Sequence, residues 1–431
     1  MAAGLGTRMR SATAKHLHPL LGRRMVDWVL EAARPLGADP FVIVCSPESR
    51  DAFDGLEVAV QEQPLGTGDA VATARSAVEG RAADVLVLSG DTPLLTTALL
   101  EELVAVHRRD GAAATVLTFR PPDPGSYGRV LRDQSGRVRA IVEAADASSE
   151  ELDADEVNSS INVFRDRVLW LVIEGISAAN VKGELYLTDA VRALVEAGET
   201  VGAYLAPDPV ETLGVNTLAE LAAAASVLRE RINERHMLAG VTIVDPRSTW
   251  IEAGVELEPD SIVHPFTVLR GRTRVASGVE IGPHAVAVDA VVGPGAAVGP
   301  FCYLRPGTIL EAGAKAGTFV EIKNSRIRER AKVPHLSYIG DADIGENTNV
   351  GAGAITANYR PEVGPGKQRT TIGRNVRIAV DNSFIAPVTI GDNAWTAAGS
   401  VITEDVPPEA LAIARARQIN KEGYARGKRD D

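Results

Sequence analysis

The chain has 431 residues, length enough for two or three domains, with 45 Lys and Arg against 57 Asp and Glu and a formal net charge of −12. That acidic balance argues against a nucleic-acid footprint, no apolar run reaches membrane-spanning length, and no secretory leader is expected before Gly4. Cys45 and Cys302 stand far apart in no metal-ligand spacing, so the expected compartment is a reducing cytoplasm.

The first half alternates strands with helices. Short apolar runs at 41–45, 58–60, 85–88 and 114–119 are separated by helical patterns at 25–36, 69–78 and 98–109. This order predicts a Rossmann-like, mostly parallel sheet covered on both faces, with ligands bound beyond the carboxyl ends of its strands. The opening Ala2-Ala3-Gly4-Leu5-Gly6-Thr7-Arg8-Met9 is a Gly-rich turn followed by the cations Arg8 and Lys15. Glycines let backbone N–H groups approach phosphate oxygens, and Arg and Lys offset their charge. Asp91, in Ser89-Gly90-Asp91, leaves a strand's carboxyl end, where a Mg²⁺ bridging phosphates needs a carboxylate; a helix cap is the plain alternative. Tyr127-Gly128-Arg129, Ile141-Val-Glu143, Glu156-Val-Asn158 and Gly214-Val-Asn216 each read, alone, as turns. An Ala-rich segment carrying Arg and Glu, Leu218–Leu238, predicts one long linking helix.

The second half carries an internal repeat. Aliphatic residues return every six positions from Ile251 through Leu257, Val263, Val275 and Ile281, slip by one, and resume at Val292, Val298, Leu304, Leu310, Ala316 and Ile322. The rhythm returns at Ile344, Val350, Ile372, Ile378, Phe384, Ile390, Thr396 and Ile402. A period of six fits neither a helix nor simple alternation. It fits one short strand and one corner per hexad, with an inward aliphatic residue and coils stacked in parallel; the aromatic share of 4% suits the narrow core. A sandwich of short strands would need turns at wider spacing. The rhythm is perturbed around His335 and breaks between Ile355 and Ile372 in a polar, Pro/Gly-rich loop.

The repeat resembles that of the hexapeptide-repeat acyltransferases, which implies a left-handed parallel β-helix and a homotrimer. In order along the chain, Ala-Ala-Gly-x-Gly-Thr-Arg-Met, Gln61, Leu65-Gly-Thr-Gly68, Gly90-Asp91-x-Pro-Leu, Tyr-Gly-Arg, Val-Glu, Glu-Val-Asn and Gly183-Glu-Leu-Tyr-Leu-Thr-Asp189 resemble the bacterial bifunctional N-acetylglucosamine-1-phosphate uridyltransferase/glucosamine-1-phosphate acetyltransferases over essentially the whole length. The resemblance implies a uridyltransferase domain at 1–216, a linker helix at 217–238 and an acetyltransferase β-helix at 239–431. It assigns Ala2, Ala3, Gly4, Gln61, Gly66 and Thr67 to the nucleoside, Arg8 and Lys15 to the phosphates, and Ser89 and Gly90 to the same UTP site. It gives Gly128, Glu143 and Asn158 to the amino sugar, and Asp91 with Asn216 to Mg²⁺. In the β-helix it implies His335 as general base, and Arg305, Lys323, Tyr338, Asn349 and Asn358 as sugar-phosphate ligands. Acetyl-CoA falls to Ala352, Tyr359, Val380, Ala398 and Arg415, and the product would be UDP-N-acetylglucosamine for cell-wall precursors.

The sequence also departs from that family. Val380 stands for a serine, Ser160 for a glycine and Ala14 for the proline before Lys15; the loop after Tyr359 is longer, with Arg360 in place of an acid. The apolar strand expected ahead of the Gly-rich turn is missing, so hydrogen-bond accounting predicts two strands left facing each other unpaired. The expectation is a loosely held 2–8 turn and weak uridylyl transfer, unless an apolar extension lies before Met1. Two rival readings are a nucleotidyltransferase whose β-helix only oligomerises and an inactive scaffold. Arg305, Lys323, His335 and Tyr338 together weigh against both.

Overall fold

A computed structural model describes residues 1–4 and 6–426, and the chain forms two compact units, Met1–Leu228 and Arg229–Asp431. Among the described residues no helix is long and apolar enough to cross a membrane.

In the first unit, the fully buried strand Ala114–Phe119 lies between Val201–Leu205, to which it is parallel, and Val157–Arg165, to which it is antiparallel. Val157–Arg165 also pairs antiparallel with Asp84–Val87, and its first residue meets the Arg129–Arg132 and Val138–Val142 hairpin. The predicted parallel pairing thus holds for Ala114–Phe119 with Val201–Leu205 and for Val42–Cys45 with Glu57–Val60. The Glu-Val-Asn stretch, read from sequence as a turn, instead opens a nine-residue strand. Asn158, Ser159 and Asn162 are buried there; Ser159 Oγ donates to the Leu117 carbonyl at 2.7 Å and Asn158 Oδ1 accepts from Ser160 N at 3.1 Å.

The helical patterns at 25–36, 69–78 and 98–109 each form helix, with ends set by local chemistry, while Asp166–Ile173 and Leu187–Glu196 are further helices that the sequence reading did not place. Thr97–Asp110 starts on the Thr96 hydroxyl, which accepts from Leu99 N at 3.2 Å, and stops at Gly111, whose φ of 59° suits a residue without Cβ. Its Leu99, Leu100 and Leu103 pack against Leu117 and Phe119 of the sheet. The 25–36 pattern ends as an α-helix at Ala33, because Pro35 follows and turns the chain 3₁₀. The 69–78 pattern divides at Ala74 into Thr67–Thr73 and Arg75–Val78.

Among the described residues no strand lies between Val42–Cys45 and Asp84–Val87, each of which is paired on its far side. Met1 and Ala2 sit at one end of this gap. The Met1 amine donates to the Leu88 carbonyl at 2.7 Å, Gly90 N donates to the Met1 carbonyl at 2.8 Å, and Ala2 N donates to the Val44 carbonyl at 2.6 Å.

The second unit is a left-handed parallel β-helix of three sheets with, among the described residues, ten, nine and eight short strands, successive strands passing from sheet to sheet. The repeat residues point inward: Ile281, Leu304, Ile322, Ile344, Val350 and Phe384 are fully buried. The one-residue slip falls between buried Ala287 and Val292, five positions apart, where the corner at Asp289 is tight and left-handed. Buried threonines close other corners, as where Thr308 Oγ1 donates to the Ile322 carbonyl at 2.9 Å. One corner carries exposed rings with positive φ, and Phe266, His284, Phe301 and Phe319 stack at 4.7, 4.9 and 5.0 Å between centroids. The helix Leu218–Leu238 serves both units: Ala224 and Leu228 pack with Met25 and Leu94, while Asn233 Nδ2 donates to the Pro246 and Thr249 carbonyls of the first coil.

Candidate active sites

Beyond the carboxyl end of Asp84–Val87, four of the predicted side chains meet. Lys15 Nζ bonds Asp91 Oδ2 and donates to Asn216 Oδ1 at 2.6 Å, and the same amide oxygen accepts from Arg8 at 2.8 Å. Ser89 Oγ donates to Asp91 Oδ1 at 2.7 Å, and Val215 N donates to the Asp91 carbonyl at 2.8 Å, tying the two loops together. Burial works to raise the Asp91 carboxyl; the Lys15 charge beside it and the bonds from Lys15 and Ser89 outweigh this and hold it below the ordinary carboxylate value. Gly90 allows the Met1 carbonyl to approach, since a Cβ there would lie 2.8 Å from it. Ala2 and Ala3 are buried and Gly4 is exposed next to this cluster.

Two further clusters adjoin it. Gln61 is buried, its amide donating to the Gly66 carbonyl at 3.2 Å and to Asp69 at 2.7 Å. Gly66, at φ 122°, lies so close to Leu185 that a Cβ would come within 2.5 Å of its carbonyl, and Thr67 Oγ1 accepts from Leu187 N at 2.9 Å. On the other side, the Gly128 carbonyl accepts from Asn158 N at 2.9 Å, and a Cβ on Gly128 would lie 3.5 Å from Glu143 Oε1. Burial raises the Glu143 carboxyl, which accepts from Thr188 Oγ1 at 3.1 Å. Tyr127 links the clusters, its hydroxyl accepting from Gly214 N at 3.0 Å. Asn158 Oδ1 accepts from Ser160 N at 3.1 Å, with Ser160 at φ 63°; the serine thus holds a left-handed position where a glycine would be unstrained. Sequence reading gave Tyr127, Asp69 and Thr188 no role, although all three stand inside or beside its motifs.

In the β-helix, one face carries Arg305, Lys323, Tyr338 and Asn358. Glu321, which pairs in register with Tyr338, accepts from Arg305 at 2.7 Å, while Lys323 pairs with Gly340. Gly340 has no room for a Cβ because the Tyr338 ring and the Asn358 amide press against it. Asn358 Nδ2 lies 3.4 Å from the Tyr338 hydroxyl and donates to Asp341 at 2.5 Å; the other Asp341 oxygen accepts from Asn324 at 2.6 Å. Asp341 carried no sequence signal, because its partners stand 17 residues away on neighbouring coils.

His335 ends a strand on the adjoining face, exposed, one residue before the left-handed corner at Leu336. Buried Ser337 fixes that corner by donating to the His335 carbonyl at 2.7 Å. Asn349 stacks over Lys332 on the His335 face, away from the other predicted sugar-phosphate ligands. The same register, carried three residues along each strand, sets His335, Ala352, Val380 and Ala398 in one column. Corner bonds agree: Asp381 N donates to the Ala352 carbonyl at 2.8 Å and Gly399 N to the Val380 carbonyl at 2.9 Å. Arg415 lies against the corner at Gly399, 3.9 Å from a Cβ built there. Tyr359 begins the loop that leaves the coil; it is two-thirds exposed, with Lys367 over its ring at 4.5 Å.

A phosphate-binding α/β unit joined to a hexapeptide β-helix that presents a histidine and a cationic face defines a two-headed transferase. Residues 1–152 match the MobA-like NTP transferase domain. The whole chain aligns with proteins named bifunctional protein GlmU: that of Streptomyces avermitilis is 46% identical over 454 residues, covering 94% of its length, and that of Trichlorobacter lovleyi 44% over 454 residues, covering 98%. The Mycobacterium tuberculosis protein of that name is 45% identical over 457 residues, covering 92% of its length. The chain belongs to the bifunctional GlmU family.

Proposed function

We propose that this enzyme N-acetylates glucosamine 1-phosphate with acetyl-CoA in its β-helix and then, in its first unit, transfers uridylyl from UTP to the N-acetylglucosamine 1-phosphate so made. The convergence of Arg8, Lys15, Asp91 and Asn216 on one point carries the uridylyl half. There the sugar-phosphate oxygen attacks the α-phosphorus in line and pyrophosphate leaves, so the chain's part is positioning and charge stabilisation. Lys15 and Arg8 neutralise phosphate charge, Gln61, Gly66 and Thr67 hold the nucleoside, and Gly128, Glu143 and Asn158 hold the sugar.

A carboxylate and an amide oxygen meeting on a single cation form the donor set a hard divalent ion takes, so the residues fit Mg²⁺. No group of three or more His, Cys, Asp or Glu stands ready for a metal among the described residues, so phosphates would complete the coordination. Mg²⁺ would supply charge neutralisation at the phosphates, held by Asp91 and Asn216.

In the β-helix His335 takes the proton from the sugar ammonium. The freed amine attacks the thioester carbonyl, a C–N bond forms, the C–S bond breaks and the CoA thiol leaves. Arg305, Lys323, Tyr338 and Asn358 anchor the sugar phosphate, and Ala352, Val380, Ala398, Tyr359 and Arg415 line the donor's path. Three like faces per coil favour a closed homotrimer, and the acidic chain with two thiols suits the cytoplasm. A coupled assay supplying glucosamine 1-phosphate, acetyl-CoA and UTP should yield UDP-N-acetylglucosamine, CoA thiol and pyrophosphate together. Absence of both CoA thiol and pyrophosphate would overturn the reading.

A further inference from the structure

Asp341 stands at the corner that follows the strand Tyr338–Gly340, buried, its backbone N–H donating to the Lys323 carbonyl at 3.0 Å. A carboxylate out of water is costly unless its oxygens are satisfied, and one beside a face of phosphate-binding cations also opposes the ligand's charge. Asp341 is satisfied by amides: one oxygen accepts from Asn324 Nδ2 at 2.6 Å, the other from Asn358 Nδ2 at 2.5 Å. The corner alone explains part of this, since Asp tolerates the left-handed φ of 50° found here. Asp289, in the same corner column at φ 46°, serves that purpose with a local bond, accepting from Arg272 N at 2.8 Å. Corner geometry does not explain why Asp341 reaches Asn358 on the next coil.

Polarity does. A carboxylate has no proton to give, so Asn358 must turn its NH₂ group toward Asp341. One amide proton goes to Asp341, and the same nitrogen lies 3.4 Å from the Tyr338 hydroxyl, toward which the second proton points. A phenol oxygen that accepts on that side keeps its own proton for the other side. Gly340 makes the contact possible, because a Cβ there would press on both the Tyr338 hydroxyl and the Asn358 amide. We propose that Asp341 is a positioning residue for acetyl transfer: acting through Asn358, it holds the Tyr338 hydroxyl with its proton directed at the sugar phosphate. This rests on the acetyltransferase reading above, in which Tyr338 and Asn358 belong to the sugar-phosphate site.

The test is steady-state CoA-thiol release by the full chain, with glucosamine 1-phosphate and acetyl-CoA varied in turn and melting temperatures recorded. Asp341→Asn puts an amide where an acceptor stood, so the sense of Asn358 and Tyr338 is no longer fixed. KM for glucosamine 1-phosphate should rise about tenfold or more, the worth of one hydrogen bond to a charged group, while kcat and the KM for acetyl-CoA stay near the parent's. The exchange of Asp341→Asn with Asn358→Asp keeps a donor and an acceptor between the two positions, so it should recover the parent's melting temperature. It also offers Tyr338 an acceptor in place of a donor, which reverses the hydroxyl, so KM should stay raised. In a Tyr338→Phe background, Asp341→Asn should add little, since its effect runs through that hydroxyl. A parent-like KM in folded Asp341→Asn, a KM restored by the exchange, or an undiminished rise on Tyr338→Phe would each overturn the proposal. A parent chain that releases no CoA thiol with glucosamine 1-phosphate would overturn the acetyltransferase reading, and this proposal with it.

Discussion

Glu143 lies beside Gly128 and bonds Thr188, and burial raises its carboxyl above the ordinary glutamate value. Below the ordinary value both folded and unfolded chains are protonated there. As pH rises the unfolded chain ionises first, so the stability that the neutral carboxyl contributes is lost as pH passes the raised folded value. Glu143→Gln should therefore gain stability over the parent near neutral pH and none near pH 4, read by urea unfolding at several pH values; a gain independent of pH would contradict it. The KM for the sugar phosphate should rise. At this scale the sequence shows groups whose chemistry is local, such as Gly66 and Gly90, where a backbone or carbonyl comes too close for a Cβ. It hides partners brought in by folding, as with Asp341 between Asn324 and Asn358, because nothing in a single coil marks the coil above it.

Helices and hexads follow from periodicity, and Ala114–Phe119 and Leu218–Leu238 form over the very residues the pattern predicts. Val157–Arg165 is hidden because it buries Asn158, Ser159 and Asn162, so it lacks the aliphatic look of an interior strand. A pair of unpaired edges follows from hydrogen-bond accounting, but that they belong to Val42–Cys45 and Asp84–Val87 is set by the folded sheet. The loop between Ile355–Ala357 and Thr370–Ile372 is legible as a break in rhythm. It is closed by Gln368 N donating to the Asn358 carbonyl at 2.8 Å and by the Tyr359 and Lys367 bridge, and it presents an exposed tyrosine. If the chain is a homotrimer and this loop completes a neighbouring subunit's donor site, replacing 360–367 by a short Gly-Ser link should abolish acetyl transfer while uridylyl transfer and the sedimentation coefficient stay unchanged. A monomer with full acetyltransferase activity would contradict that sharing.

The molecule carries its two proposed sites on two compact units, one around Lys15 and Asp91 and the other around Arg305 and Glu321. The repeat and the motif order made both units readable in advance; the fine geometry of each cluster depended on residues up to 208 positions apart, as for Arg8 and Asn216. The division is tested most directly by measuring CoA-thiol release and pyrophosphate release separately in His335→Ala and Asp91→Ala. His335→Ala should lose about 10²–10⁴-fold in acetyl transfer with uridylyl transfer unchanged. Asp91→Ala should lose about 10²–10³-fold in uridylyl transfer with acetyl transfer unchanged. Loss of both activities in either folded variant would contradict two independent sites.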